Sequence, residues 1–190
     1  RAVECLMKMI QGETHVELAK ELNPSILERG SIMEPVRDRQ GEKIVVVGSM
    51  NLDITIEMSR IPIAGETQIV KSVRQFPGGK GGNQAVGVGK LGGQVYMIGC
   101  LGNEMDGKLI YDSLLENHVR TEGVAFDRSM ATGNAYINLD KDGASTIAVY
   151  QGANRGLNIA HLNRFQHLIQ NAKYCLLSLE ISEEIAEYSV

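Results

Sequence analysis

The stretch of residues 77–86, Pro-Gly-Gly-Lys-Gly-Gly-Asn-Gln-Ala-Val, decides how this chain is organised. Four of five consecutive residues in it are glycine, which loses much backbone freedom on folding but permits positive φ angles and close approach of a ligand. Residues 83–91 follow as a predicted helix that ends at Gly92. A helix start leaves N–H groups unpaired and carries partial positive charge, so we expect a loop that offers backbone donors, Lys80 and Asn83 to a polar ligand. A plain strand-to-helix turn is the alternative.

A second stretch, residues 43–49 (KIVVVGS), predicts a buried parallel strand because it is a short β-branched run closed by glycine and serine. Asn51 and Asp53 come directly after it. Ligands of open α/β sheets bind beyond the carboxyl ends of the strands. Two residues apart in extended chain, these side chains point to the same side. A carboxylate beside an amide suits neighbouring hydroxyl groups, because the carboxylate accepts and the amide both donates and accepts.

The rest of the chain alternates strands with helices. Strands are predicted at residues 94–100, 119–126 and 174–179, and helices at 106–117, at 158–171 and from Ser182 onwards. The alternation predicts an α/β fold with a mainly parallel, doubly wound sheet. The apolar face of the helix at 106–117 is predicted to carry Leu109, Ile110, Leu114 and Leu115. Glu180 follows a buried strand, so we expect it on the same rim as Asn51 and Asp53. The alternative is that Glu180 is only a carboxylate that leads into the next helix.

Two pairs of extended segments depart from this alternation and predict a small antiparallel sheet. They occupy residues 54–59 with 67–76, and residues 133–139 with 145–150, the second pair joined by a hairpin turn at 140–143. Because the chain leaves and re-enters beside the glycine loop, we expect this sheet, at about 54–76 and 133–150, to form a lid over the site. A surface hairpin with no role in closure is the alternative.

Composition narrows the class of protein. The net charge of −4 over 190 residues argues against general affinity for nucleic acid or an anionic membrane. Cys5, Cys100 and Cys175 are too far apart to suggest a disulfide framework or a metal site, which favours a reducing cytoplasm. No run is long enough to cross a bilayer and no signal peptide is recognisable, so we expect no membrane partner.

Three blocks of sequence resemble, in order and spacing, the N-terminal half of the ribokinase group of the PfkB family of sugar kinases. The blocks are residues 47–53, 62–67 and 77–86, and shorter pieces at 99–107, 132–133, 152–154 and 179–180 agree. The resemblance runs from residue 43 to residue 190. One departure is Gly82, where the family usually has alanine, and we expect this glycine to loosen the helix start without abolishing the site.

The resemblance implies an ATP-dependent kinase that phosphorylates the primary hydroxyl of a pentose, converting ribose to ribose 5-phosphate. It also implies a homodimer in which the lids of two protomers pack together. The sugar-binding residues that it implies are Asn51, Leu52, Asp53, Gly79, Lys80, Gly81, Gly82, Asn83 and Glu180.

The same resemblance implies that ATP, Mg²⁺ and a monovalent cation such as K⁺ are held by the C-terminal half of the family's fold. The catalytic aspartate of the family lies there too, in a Gly-Ala-Gly-Asp turn that does not occur in this sequence. We therefore expect no catalytic residue and no metal ligand in this chain, a fragment that ends after the first half of the kinase, and no kinase activity from it alone.

Residues 1–42 are predicted to form a separate tail and linker. Residues 1–33 resemble the C-terminal tail of LacI-type sugar-responsive regulators, through a helical pattern and the run LERGS at 27–31, and the charged run at 34–42 predicts a linker. The tail contains no helix that could read DNA, so we expect no contact with nucleic acid. A disordered extension is the alternative. The alternative function is a non-catalytic sugar-binding or regulatory module from a regulator–kinase fusion, and the start at Arg1 suggests that the sequence begins partway through a longer chain.

Overall fold

A computed structural model describes residues 42–189, so the regulator-like tail and all but the last residue of the linker predicted for residues 1–42 lie outside the described residues. The first sheet contains four parallel strands, β1 (Lys43–Val47), β4 (Gln94–Gly102), β5 (Arg120–Asp127) and β8 (Tyr174–Leu177), in the order β5-β4-β1-β8. The second sheet contains β2 (Asn51–Glu57), β3 (Ser72–Gly78), β6 (Gly133–Leu139) and β7 (Ser145–Tyr150), in the order β3-β2-β6-β7.

Helices cover the first sheet on both sides. They are α1 (Lys80–Lys90), α2 (Met105–Glu116), α3 (Ile159–Arg164), α4 (Gln166–Gln170) and α5 (Glu183–Tyr188), together with a short 3₁₀ helix at Gly152–Gly156. Successive side chains of β1 point to opposite faces, so Ile44 and Val46 pack with α1 and α2, whereas Val45 and Val47 pack with the later helices. This confirms the predicted doubly wound α/β fold.

Two details of the first sheet differ from the sequence prediction. In α2 only Ile110 and Leu114 of the four predicted apolar residues are buried, whereas Leu109 and Leu115 are 46% and 49% exposed. Residues four apart share one face of a helix, so the buried stripe is narrower than predicted. Strand β8 ends at Leu177, and it is only half-buried because it is the outermost strand of this sheet within the described residues.

The second sheet contains the four predicted extended segments as strands but is mixed rather than antiparallel. β2 pairs with β3, and β6 with β7, in antiparallel fashion, whereas β2 and β6 run parallel from the same rim, where Asn51 lies opposite Gly133. The predicted hairpin turn joins β6 to β7, and Gly143 adopts a φ angle of 85° in it. The second sheet, called the lid sheet below after its predicted role, therefore begins just beyond the end of β1. Its strand β2 begins at Asn51, three residues earlier than predicted.

No helix within residues 42–189 is long and apolar enough to cross a bilayer.

Candidate functional site

The carboxyl ends of β1 and β8 meet the start of α1 at one rim of the first sheet. A Cβ atom on Gly48 would lie 2.6 Å from the Cβ of Ser178, and one on Gly81 would lie 2.8 Å from the carbonyl oxygen of Ser49. Both distances are shorter than any side chain tolerates. Glycine at these two positions is therefore what allows the helix start to approach the strand ends so closely.

The glycine stretch is less of a loop than predicted, because α1 begins at Lys80 rather than at Asn83. Gly79 precedes the helix with a φ angle of 84°, which requires glycine. The N–H of Gly82 donates to the carbonyl oxygen of Ser49 at 3.0 Å, and the N–H of Asn83 donates to that of Gly79 at 2.8 Å. These two donors are therefore used within the chain, and the N–H of Lys80 is engaged by the carboxylate of Glu180, which leaves the N–H of Gly81 as the candidate for a ligand.

Gly82 is the one glycine of this stretch that the structure does not require, and we predict that Gly82→Ala stabilises the protein. A Cβ on Gly82 would meet only the Cγ of Met50, at an ordinary contact distance of 3.7 Å. Alanine reduces the backbone entropy lost on folding, so the free energy of unfolding should rise by about 0.5–1 kcal/mol. Urea denaturation measures the change, with Gly81→Ala as a matched variant that should destabilise, and a loss of stability in Gly82→Ala would contradict the prediction.

Asn51, at the start of β2, is held by Asn154 of the 3₁₀ helix. The Nδ2 group of Asn154 donates to the Oδ1 of Asn51 at 2.8 Å and to the carbonyl oxygen of Gln151 at 2.9 Å, with a longer 3.1 Å contact to that of Met50. The Oδ1 of Asn154 accepts from the N–H of Met50 at 2.8 Å. Because Oδ1 of Asn51 is engaged, its Nδ2 group is the atom that can donate to a ligand.

Asp53 follows two residues later on the same face of β2. A Cβ on Gly78 would lie 2.1 Å from the Oδ2 of Asp53, so this glycine makes room for the carboxylate. Burial raises the pKa of Asp53, the negative charge of Glu180 raises it further, and the positive charge of Lys80 offsets part of the rise. The carboxyl group therefore lies within electrostatic reach of both Glu180 and Lys80.

Glu180, just beyond β8, is held through both carboxylate oxygens. Oε1 pairs with the ammonium of Lys80, and Oε2 accepts a hydrogen bond of 2.6 Å from the hydroxyl of Ser49. Burial raises the pKa of Glu180, but the hydrogen bonds from Lys80 and Ser49 and the charge of Lys80 outweigh it, so the pKa lies below the usual range. Glu180 is therefore an ionised acceptor at neutral pH.

A cavity of about 510 Å³ opens between this rim and the end of the lid sheet. Its walls are formed by residues from three segments of the chain: Ser49, Asn51, Val149, Tyr150, Gln151, Gly152, Asn154, Arg155, Leu179 and Glu180. The lining combines polar groups from the rim with two residues, Val149 and Tyr150, from the end of β7, a combination that suits a small polar ligand.

Lys80 pairs with Glu180, and Asp53 lies within electrostatic reach of both, whereas of the predicted site residues only Asn51 and Glu180 line the cavity. Gly79, Gly81 and Gly82 are buried beneath them. Asn83 is exposed on the first turn of α1, three residues from Lys80 and thus on the same helix face, but it does not line the cavity. Leu52 was predicted among the sugar-binding residues, but its side chain is 1% exposed and packs in the core. Only its main chain could contact a ligand at the rim.

Sequence reasoning missed several residues of the site. The sequence marks Asn154 only through the resemblance at 152–154, although an asparagine after Gly-Ala, just beyond a predicted strand, is a usable signal. Ser49 was noticed only as the residue that closes a strand. Nothing in the local sequence around Ser178 distinguishes it from an ordinary strand residue.

Within residues 42–189 no group of three or more histidine, cysteine, aspartate or glutamate side chains is arranged to hold a metal ion. The site as described is a set of hydrogen-bonding groups.

The sequence of this chain is similar to those of known proteins. The model of the family described as "pfkB family carbohydrate kinase" matches residues 41–188 of this chain. The ribokinase of Bacillus subtilis is 35% identical over 144 residues, which cover 76% of this chain and 49% of that protein. The ribokinase of Mus musculus is 34% identical over 148 residues, which cover 78% of this chain and 46% of the relative.

A solved structure of a ribokinase is also similar to this chain. That of Arabidopsis thaliana ribokinase complexed with ribose and ATP superposes with a TM-score of 0.72 and 34% identity, over 78% of this chain and 49% of that one. The chain thus spans about half the length of the relatives it matches. The match to the family description covers well over half of the sequence, and on that ground this chain belongs to the pfkB family of carbohydrate kinases.

Proposed function

We propose that this chain is the sugar-binding half of an ATP-dependent kinase that phosphorylates the primary hydroxyl of a pentose, converting ribose to ribose 5-phosphate. The observation that carries the proposal is the convergence of Asn51, Asp53 and Glu180 at one rim, beside a cavity of suitable size. The ribokinase relatives, one of them solved with ribose and ATP, support a pentose over other sugars.

The described residues act by holding the sugar. The ionised carboxylates of Asp53 and Glu180 accept hydrogen bonds from hydroxyl groups, and the Nδ2 group of Asn51 donates one. Val149 and Tyr150 at the end of the lid cover the apolar side of the sugar ring and exclude water. Fixing one hydroxyl in a dry site is the positioning that phosphoryl transfer requires.

We include ATP, Mg²⁺ and a monovalent cation in the proposal because of the family resemblance. None of the described residues is assigned to hold them. We propose that phosphate donor, metal and catalytic base are held by sequence outside this chain, and that the setting is the cytoplasm.

The exposed face of the lid sheet supports a homodimer in the complete protein. Asp53, Phe76 and Val149 lie in one row across that face. The side chains of Phe76 and Val149 are each 49% exposed, and that of Ile147 is 60% exposed. A second lid packed here would bury apolar area and close the sugar site. Sedimentation equilibrium should show a dimer that Ile147→Lys dissociates, whereas a monomeric wild type would contradict the proposal.

Calorimetric titration with ribose, fructose and adenosine tests the proposed function. We expect saturable binding of one ribose per chain and weaker binding of fructose and adenosine. A coupled assay with ATP should show no ribose-dependent ADP formation by the chain alone. Absence of binding by all three compounds would overturn the proposal, and turnover above background would overturn its division between binding and catalysis.

We predict that ribose binding weakens as the pH falls, starting above the range in which aspartic acids ordinarily titrate. The raised pKa of Asp53 means that it takes up a proton early and loses acceptor capacity, while the lowered pKa of Glu180 keeps that residue ionised. Dissociation constants measured from about pH 7 to about pH 4 should therefore rise. Asp53→Asn should remove the first part of this dependence, and a constant affinity in the wild type would contradict it.

A further inference from the structure

We propose that Ser49 and Ser178 form a hydroxyl relay that positions the carboxylate of Glu180 for sugar binding. The proposal deepens the proposed function and rests on it, because it assigns the positioning of a sugar-binding acid to two serines, of which Ser49 lines the cavity and Ser178 lies behind it. It also joins the ends of two strands, β1 and β8, into a single functional unit.

The direction of the hydrogen bonds in the relay is determined by proton counting. A serine hydroxyl has one proton to donate, and that of Ser49 goes to the Oε2 of Glu180 at 2.6 Å. The contact of 3.2 Å between the two hydroxyl oxygens must therefore be donated by Ser178. The hydroxyl oxygen of Ser178 in turn accepts from the N–H of Ser49, at 3.4 Å. The chain of donors thus runs from Ser178 through Ser49 to Glu180, and such chains polarise each bond towards the charged end.

Both serines are fixed by the backbone around them. Ser49 and Ser178 are 1% and 2% exposed, and buried hydroxyl groups are costly unless they are paired. The N–H of Ser178 donates to the carbonyl oxygen of Val47 at 3.1 Å, which holds the end of β8 against β1. A Cβ on Gly48 would lie 2.6 Å from the Cβ of Ser178, so the side chain of Ser178 packs directly against the backbone of residue 48. A ligand-binding group supported in this way is held in one orientation.

Glu180 needs this support because its ion-pair partner has an exposed side chain. Oε1 pairs with Lys80, whose side chain is 66% exposed, and an exposed ion pair of this kind does little to fix geometry. The buried hydroxyl of Ser49 fixes Oε2 instead. The charged groups that face Glu180 are Lys80 on α1, Asp53 on β2, Arg155 at the 3₁₀ helix and Glu184 on α5. Of these, only Lys80 favours the ionised form through a direct contact.

The test compares Ser49→Ala and Ser178→Ala with wild type, and uses Ser113→Ala in α2 as a control serine remote from the site. The pKa of Glu180, measured by ¹³C NMR on the ligand-free protein, should rise in Ser49→Ala because one bond to its ionised form is lost. Ribose affinity should fall roughly tenfold, since that bond carried a charge. Ser178→Ala should change both quantities in the same direction by less, and Ser113→Ala should change neither.

An unchanged pKa of Glu180 in Ser49→Ala, with unchanged ribose affinity, would overturn the relay. If Ser49→Ala does not fold, Ser178→Ala decides the question by the same two measurements, and no change in either would overturn it. Failure of the proposed function looks different: wild type then binds no ribose, while the shift in the pKa of Glu180 still supports or refutes the hydrogen-bond relay in the free protein.

Discussion

Asp53→Ala should weaken ribose binding by more than about 100-fold, because the carboxylate is expected to accept two hydroxyl groups and each charge-assisted bond contributes about 1.5–3 kcal/mol. Asp53→Asn, which keeps the shape and removes the charge, should lose about tenfold. Calorimetric titration measures both. An unchanged dissociation constant in Asp53→Ala would show that the sugar lies elsewhere.

The stability of the Asp53 variants separates a binding role from a structural one. Burial and the charge of Glu180 both raise the pKa of Asp53, so its ionised form is disfavoured in the folded state. Replacing it with neutral asparagine should leave the free energy of unfolding unchanged or raise it. A large loss of stability in Asp53→Asn would mean that the carboxylate holds the lid sheet together instead of awaiting a ligand.

Asn154→Ala should destabilise the protein by about 2–4 kcal/mol and also weaken ribose binding. The substitution removes the side-chain partners of the N–H of Met50 and of the Oδ1 of Asn51, and each unpaired buried group costs about 1–3 kcal/mol. Urea denaturation measures the loss of stability.

Asn171→Ala is the matched control for Asn154→Ala. Asn171 is exposed, and its side chain makes one hydrogen bond, to the carbonyl oxygen of His167. Its removal should cost less than about 0.5 kcal/mol. A similar small effect in Asn154→Ala would contradict the view that this residue joins the lid strand to the 3₁₀ helix.

The fold could be predicted from sequence because its signals are local. The β-branched run of β1, the alternation of strands with helices, and the turn at Gly143 each depend on neighbouring residues. The parallel pairing of β2 with β6 could not be predicted in this way. It depends on Asn51 and Gly133, 82 residues apart in the numbering, lying at the same rim, and no local pattern encodes that.

The candidate site was predictable to the same extent. Asn51, Asp53 and Glu180 follow strand ends, and that position alone places them on one rim. What the position could not reveal is their support. The pairing of Lys80 with Glu180 and of Ser49 with Ser178 joins residues about 100 or more positions apart, and the early start of α1 depends on a close approach between Gly81 and Gly48.

The most direct test of the central claim is an experimental structure of this chain with ribose bound. We predict ribose in the cavity at the rim, with hydroxyl groups within hydrogen-bond distance of the carboxylates of Asp53 and Glu180 and of the Nδ2 group of Asn51. Ribose bound at another surface, or at this rim with Asp53 and Glu180 turned away from it, would contradict the account.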